Sequence, residues 1–131
     1  MRIEKYFQEL RHIIDQCASV QSFSITHDKR GSHQGYIRGE IYFRDDSILH
    51  LREFVDVEFI IERLMYVYQY VDSSESLIFR YDNTGHHKKL NLPSYPHHKH
   101  VGHEGQVIAS STPDLADILA EIEALLPLSD S

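Results

Sequence analysis

The chain has 131 residues, 41% of them apolar and 25% charged, which is the composition of an ordinary globular protein, and we expect a single domain over residues 1–131. No apolar run approaches the ~20 residues of a membrane span, and the first residues lack a signal peptide's apolar stretch, so a cytoplasmic protein without a membrane-inserted part is expected. The single cysteine excludes an internal disulfide, and the net charge of −7 argues against a protein that coats nucleic acid non-specifically.

The first half of the chain predicts one helix followed by three strands. Apolar residues recur at helical spacing over residues 2–17, and Cys17 continues that stripe, which favours a core position over a nucleophilic one. Strands are predicted at 20–26, 34–44 and 48–57, separated by polar turns at 28–32 and 45–47.

Glu53 interrupts the apolar face of the third predicted strand. A carboxylate at an apolar position must be paired or lie near an opening, because burying it alone is costly. Three interpretations remain open: the sheet face meets solvent there, Glu53 pairs with an arginine such as Arg80, or Glu53 belongs to a functional site.

Two further strands are predicted at 63–71 and from Leu77 to Asn83. In the first, Tyr66, Tyr68 and Tyr70 alternate with other residues, a pattern typical of half-buried sheet surface and, less often, of a platform that stacks nucleobases. In the second, the strand period places Tyr81 on one face and both Arg80 and Asp82 on the other.

The most unusual stretch follows, because six of the ten histidines lie between residues 86 and 103. Pro93 and Pro96 keep this stretch extended and non-helical, so a semi-rigid loop at a strand end is predicted, a common position for binding and catalytic residues. Residues 78–103 carry a net charge of +3 and the remainder −10, which favours a small anionic ligand or an RNA strand at this loop.

The last part of the chain predicts a short extended piece at 106–111 and a helix that starts at Thr112-Pro113-Asp114 and ends at Pro127. The predicted fold class is therefore α+β: an antiparallel meander sheet of about five strands, with the N-terminal and C-terminal helices packed on one face.

Four local patterns resemble the TumE-type family, the proposed toxin half of a bacterial toxin–antitoxin pair. They are RYDNTGHH from Arg80, PSYPHHKHVG from Pro93, LREFVDV from Leu51 and RLMYVYQYVD from Arg63, and the resemblance covers about two thirds of the chain. It implies a small cytoplasmic protein with a cognate antitoxin as partner and with toxicity exerted on RNA.

Three mechanisms remain open for the histidine-rich stretch. The first is a metal-independent ribonuclease, in which a base and an acid act on the 2′-hydroxyl and the leaving oxygen and a cation holds the phosphate. His98 and His100, two apart on an extended chain, are the acid–base candidates. Asp82 either orients one imidazole through its second nitrogen or merely pairs with Arg80. The candidates for contact with phosphate or RNA are Arg80, Lys88, Lys89, Lys99 and Tyr81.

The second mechanism is a zinc, manganese or nickel site. Its candidate ligands are His86, His87, His98, His100, Asp82 and Glu53, although the spacing lacks the cysteines or the helical HExxH pattern of a strong metal motif. The third is a non-catalytic module that binds RNA, a nucleotide or a protein partner. The ribonuclease is preferred, with no cofactor expected, and an oligomer is compatible with the sequence.

Overall fold

A computed structural model of the protein describes residues 1–83, 98–102, 106–109 and 113–126, with the backbone alone for residues 98 and 106–109. The elements are α1 (Ile3–Asp15), β1 (Val20–Lys29), β2 (Gln34–Phe43), β3 (Ile48–Asp56), β4 (Glu62–Val71), β5 (Leu77–Asp82), β6 (His98–Val101), β7 (Gln106–Ala109) and α2 (Leu115–Leu125). Neither helix among these residues is long and apolar enough to cross a membrane.

The strands form one antiparallel sheet whose spatial order follows the chain, from β1 to β7. This meander, with one helix before it and one after it, confirms the predicted α+β class. The predicted number of about five strands is too low. His98–Val101, predicted as part of the histidine loop, is a strand. The sequence did not indicate this strand, because its residues do not alternate between apolar and polar.

Both helices pack on the same face of the sheet, as predicted. The buried side chains of α1 and α2 join those of the strands in one core, and strand residues alternate between this face and the other. We call the face under the helices the covered face, with Ile37, Leu51, Tyr68 and Phe79 among its residues. The opposite side is the open face, with Arg38, Arg52, Gln69 and Arg80 among its residues.

The start of α2 differs from the predicted one by two residues. Asp114 is the cap: its side chain accepts a hydrogen bond of 2.9 Å from the Asp117 backbone amide, and the Asp117 carboxylate in turn accepts one from the Asp114 amide. This reciprocal pair replaces the predicted cap at Thr112 and places Pro113 before the helix.

Candidate functional site

The open face brings three of the predicted site residues together where β5 pairs with β6. In the register of these strands Arg80 lies opposite His100, and Asp82 lies opposite His98. Arg80 and Asp82 are two residues apart on one strand and therefore share a face. The cluster thus consists of Arg80 and Asp82 on β5 and of His100 on the neighbouring strand β6.

Asp82 is the centre of this cluster. It is 1% exposed, and one carboxylate oxygen, Oδ2, lies 2.8 Å from Arg80 Nε and 3.5 Å from His100 Nε2. A buried carboxylate is stable only when cations or hydrogen-bond donors surround it. Asp82 therefore holds the guanidinium and the imidazole in a defined arrangement.

Arg80 is fixed from a second side by the neighbouring strand. Its Nη1 donates a hydrogen bond of 3.2 Å to Gln69 Oε1, and Gln69 is its register partner on β4. Arg80 also lines a groove of about 190 Å³ on the open face, together with His50 and Arg52 among others. The cluster therefore borders a space that a ligand can enter.

This arrangement suits acid–base chemistry on an anionic substrate. The Nε2 atom of His100 faces a carboxylate, a contact that orients the imidazole ring. The guanidinium of Arg80 presents a planar set of donors that matches a phosphate. An imidazole, a carboxylate and a guanidinium are thus adjacent.

Several predicted site residues fall outside the described part of the chain. These are His86, His87, Lys88 and Lys89. Only the backbone of His98 is described. It lies in β6, opposite Asp82 in the strand register.

Lys99 and Tyr81 were predicted to contact RNA beside Arg80, but they lie on the covered face. Lys99 Nζ is 3.3 Å from Glu121 Oε1 of α2 and 4.7 Å from the centre of the Tyr81 ring, and the Tyr81 hydroxyl donates to the same Glu121 oxygen at 2.7 Å. The reason is strand alternation, which turns each of these residues away from its neighbour in sequence. They link β5 and β6 to α2 and do not share a surface with Arg80.

Glu53 also lies on the covered face, so the sheet separates it from Asp82 and His100. It is 0% exposed and accepts hydrogen bonds from the hydroxyls of Tyr6 and Tyr68, the second at 2.5 Å. Arg63 donates to the Tyr68 hydroxyl at 3.0 Å. Of the open interpretations, contact with solvent and pairing with Arg80 are therefore excluded, and the nearby arginine is Arg63. Burial raises the pKa of the Glu53 carboxyl.

The tyrosine ladder of β4 faces the core. Tyr66, Tyr68 and Tyr70 are all buried, and the Tyr70 hydroxyl lies 2.7 Å from Ser47 Oγ. These rings are more deeply buried than the half-buried surface that the sequence favoured, and they offer no platform for nucleobases.

Cys17 packs against the core, as predicted, just beyond the end of α1. Its Sγ donates to Glu123 Oε1 of α2 at 2.9 Å, and burial together with that carboxylate raises the pKa of the thiol to about 11. A thiol of this kind is a poor nucleophile near neutral pH.

Among the residues whose positions are described, no group of three or more His, Cys, Asp or Glu side chains is placed to hold a metal ion. Asp82 and His100 are the two predicted ligands that lie together there.

Arg38, Arg52 and His50 were not predicted as functional residues, yet they face the same groove as Arg80. The alternation of β2 and β3 already assigns them to one face of the sheet. That periodicity is the sequence signal that could have identified them, once the core-facing residues of both strands were known.

Comparison with known proteins gives one match: the family model described as Toxin TumE matches residues 10–126. No curated protein and no solved structure was found to match the chain.

The buried position of Glu53 predicts a pH-dependent stability. Because the folded-state pKa is raised above the ordinary value of 4.5, the wild-type protein loses free energy of unfolding as the pH rises from that value through the raised pKa. Glu53→Gln removes this titration. We expect the wild type to lose about 1.4 kcal/mol relative to the variant for each pKa unit of elevation, measured by urea unfolding across this range.

The matched control is Glu58→Gln, which changes an exposed carboxylate. A stability difference between wild type and Glu53→Gln that does not vary with pH would contradict the assignment.

Proposed function

This chain belongs to the Toxin TumE family, and from that membership and the Arg80–Asp82–His100 cluster we propose that it is a cytoplasmic toxin that cleaves RNA. A toxin of this kind requires a cognate antitoxin protein, which is the partner we propose. The observation that carries the ribonuclease assignment is the buried Asp82 carboxylate, which contacts both the His100 imidazole and the Arg80 guanidinium. Arg80 in turn lines a groove on the open face.

The proposed reaction is transesterification without a metal ion. His100 accepts the proton of the ribose 2′-hydroxyl, whose oxygen forms a bond to phosphorus while the bond from phosphorus to the 5′ oxygen breaks. A second group donates a proton to the departing 5′ oxygen. The products are a 2′,3′-cyclic phosphate and a 5′-hydroxyl, and water then opens the cyclic phosphate or the product leaves.

Each residue of the cluster has a separate role in this proposal. Asp82 orients His100 and stabilises the imidazolium that forms, while Arg80 stabilises the charge that develops on the phosphate. His98, opposite Asp82 in the strand register, is proposed as the proton donor. General acid–base groups contribute roughly 10²- to 10⁴-fold to a rate, so loss of one should be easy to detect.

The second candidate function is a transition-metal site, favoured by the same pair of groups. An imidazole and a carboxylate in contact are two of the ligands that zinc, manganese or nickel accepts. A non-catalytic RNA-binding module is the third, and it differs from both in requiring no reaction.

Growth arrest in cells that express the protein tests the catalytic assignment. We expect His100→Gln and Asp82→Asn each to abolish the arrest, because the first removes the base and the second leaves it without its orienting carboxylate. The measurement is colony formation after induction, with equal protein amounts verified by immunoblot.

Lys99→Gln is the matched control, since it alters the residue next to His100 on the covered face and leaves Arg80, Asp82 and His100 unchanged. It removes a partly buried ion pair, and at equal protein amounts this variant should still arrest growth. If His100→Gln arrested growth as fully as the wild type, the catalytic assignment would be abandoned.

Elemental mass spectrometry of the purified, untagged protein separates the two enzyme mechanisms. We expect no stoichiometric zinc, manganese or nickel, because the proposed reaction uses protein groups alone. A stoichiometric metal that is lost in the double variant His98→Ala/His100→Ala would instead establish the metal site.

A further inference from the structure

Two arginines face each other across neighbouring strands on the open face. Arg38 of β2 is the direct register partner of Arg52 of β3. Like charges directly opposite each other in an antiparallel pair are destabilising. Both side chains are exposed, so nothing about packing requires this arrangement.

The guanidinium groups of Arg38 and Arg52 have no hydrogen-bond or ion-pair partner within the described part of the chain, unlike those of Arg80, Arg63 and Arg30. Arg80 contacts Asp82, Arg63 contacts Tyr68 and Arg30 contacts Asp28, whereas neither Arg38 nor Arg52 makes a side-chain hydrogen bond or ion pair there. An anionic ligand would supply the missing counter-charge.

The pair lies between two grooves of the open face. One, of about 190 Å³, contains Arg80 and His50, and the other, of about 420 Å³, contains Arg30 and Tyr36; Arg38 and Arg52 line both. The same cross-strand row continues from Arg52 through Val67 to Asp82. At the usual spacing of strands, the Cα atoms of Arg52 and Asp82, two strands apart, are separated by about 10 Å.

Aromatic rings border the far groove. Tyr36 is 40% exposed and stacks on Phe54 with ring centroids 4.4 Å apart, and the Arg30 guanidinium lies 5.2 Å from the Tyr36 ring. Stacks of aromatic rings and guanidinium planes hold the unpaired bases of single strands, and arginines beside them hold the phosphates.

One carboxylate, Glu40, also lines the near groove, where it lies opposite His50. It makes no ion pair with Arg38 or Arg52 among the described residues. Three arginines and a histidine against one carboxylate leave the groove attractive to a polyanion.

We propose that the open face binds single-stranded RNA across β2, β3 and β4, with Arg38 and Arg52 on the phosphodiester backbone and Tyr36 against a base. The inference rests on the proposed function, because the row of side chains leads to Asp82 and His100, where the RNA is proposed to be cut. The row thereby determines which part of an RNA reaches the reacting groups, and it favours unpaired over duplex RNA because stacking requires exposed bases.

The test uses the full-length protein and a fluorescein-labelled 2′-O-methyl RNA oligonucleotide of mixed sequence. Without a free 2′-hydroxyl this probe cannot undergo the proposed cleavage, so fluorescence anisotropy reports binding alone. We expect Arg38→Gln/Arg52→Gln to weaken binding about tenfold or more, and to reduce the slope of log K against log salt by about 1.4, or ~0.7 for each phosphate contact.

Four further variants control for the charge and for the aromatic contact. Lys5→Gln/Arg11→Gln removes the same charge from α1, beyond the covered face, and should bind as the wild type does. Arg38→Lys/Arg52→Lys keeps the charge and should restore most of the salt slope. Tyr36→Ala should weaken binding about fivefold or more, whereas Tyr42→Ala, 38% exposed on the same strand and face, should not.

The outcomes separate this inference from the ribonuclease assignment. Unchanged RNA binding by Arg38→Gln/Arg52→Gln overturns the inference even if His100→Gln abolishes growth arrest. Weakened binding with arrest retained in His100→Gln supports the RNA surface and rejects the catalytic cluster. Tighter binding of duplex than of single strands, or loss of antitoxin binding alone in the arginine variant, also overturns the inference.

Discussion

Strands β1 to β5 send alternate side chains to a face that two helices cover and to a face that they leave open, and residues 99–101 of β6 continue this alternation. This two-residue period decides what each chemically distinctive residue can do. Lys99 and Tyr81 are bound to Glu121 of α2, while their neighbours in sequence, His100 and Asp82, lie on the open face. Adjacent residues of one strand thus support the core and border the open face in turn.

Two buried carboxylates show how the faces differ. Glu53 lies under α1 and is surrounded by tyrosine hydroxyls, in a setting where burial raises its pKa. Asp82 lies on the opposite side of the sheet and contacts the guanidinium of Arg80 and the imidazole of His100. The first arrangement joins a helix to the sheet, whereas the second organises groups that can transfer protons and bind phosphate.

The fold was largely predictable because its signals are local. Helical periodicity located α1 and α2, and turn residues separated β1 to β5. Strand β6 was missed because His98–Val101 offers no apolar alternation, and the faces of Lys99 and His100 could not be assigned without it.

The candidate site was less predictable. Arg80, Asp82 and His100 were predicted individually, whereas the contact of Asp82 with His100 depends on the register between β5 and β6. The same holds for Arg38 and Arg52, which lie directly opposite each other only in the register that the turn between β2 and β3 sets. Glu53 was recognised as anomalous, but its tyrosine partners depend on where α1 packs.

We propose that protein groups at Asp82 and His100 cleave RNA without a metal ion. The chemistry of the RNA ends, after incubation with the purified protein in excess chelator, tests this proposal. The wild type should leave 2′,3′-cyclic phosphate and 5′-hydroxyl termini, and His100→Gln should leave none. Cleavage that the chelator abolishes, or that leaves 3′-hydroxyl and 5′-phosphate termini, would contradict it.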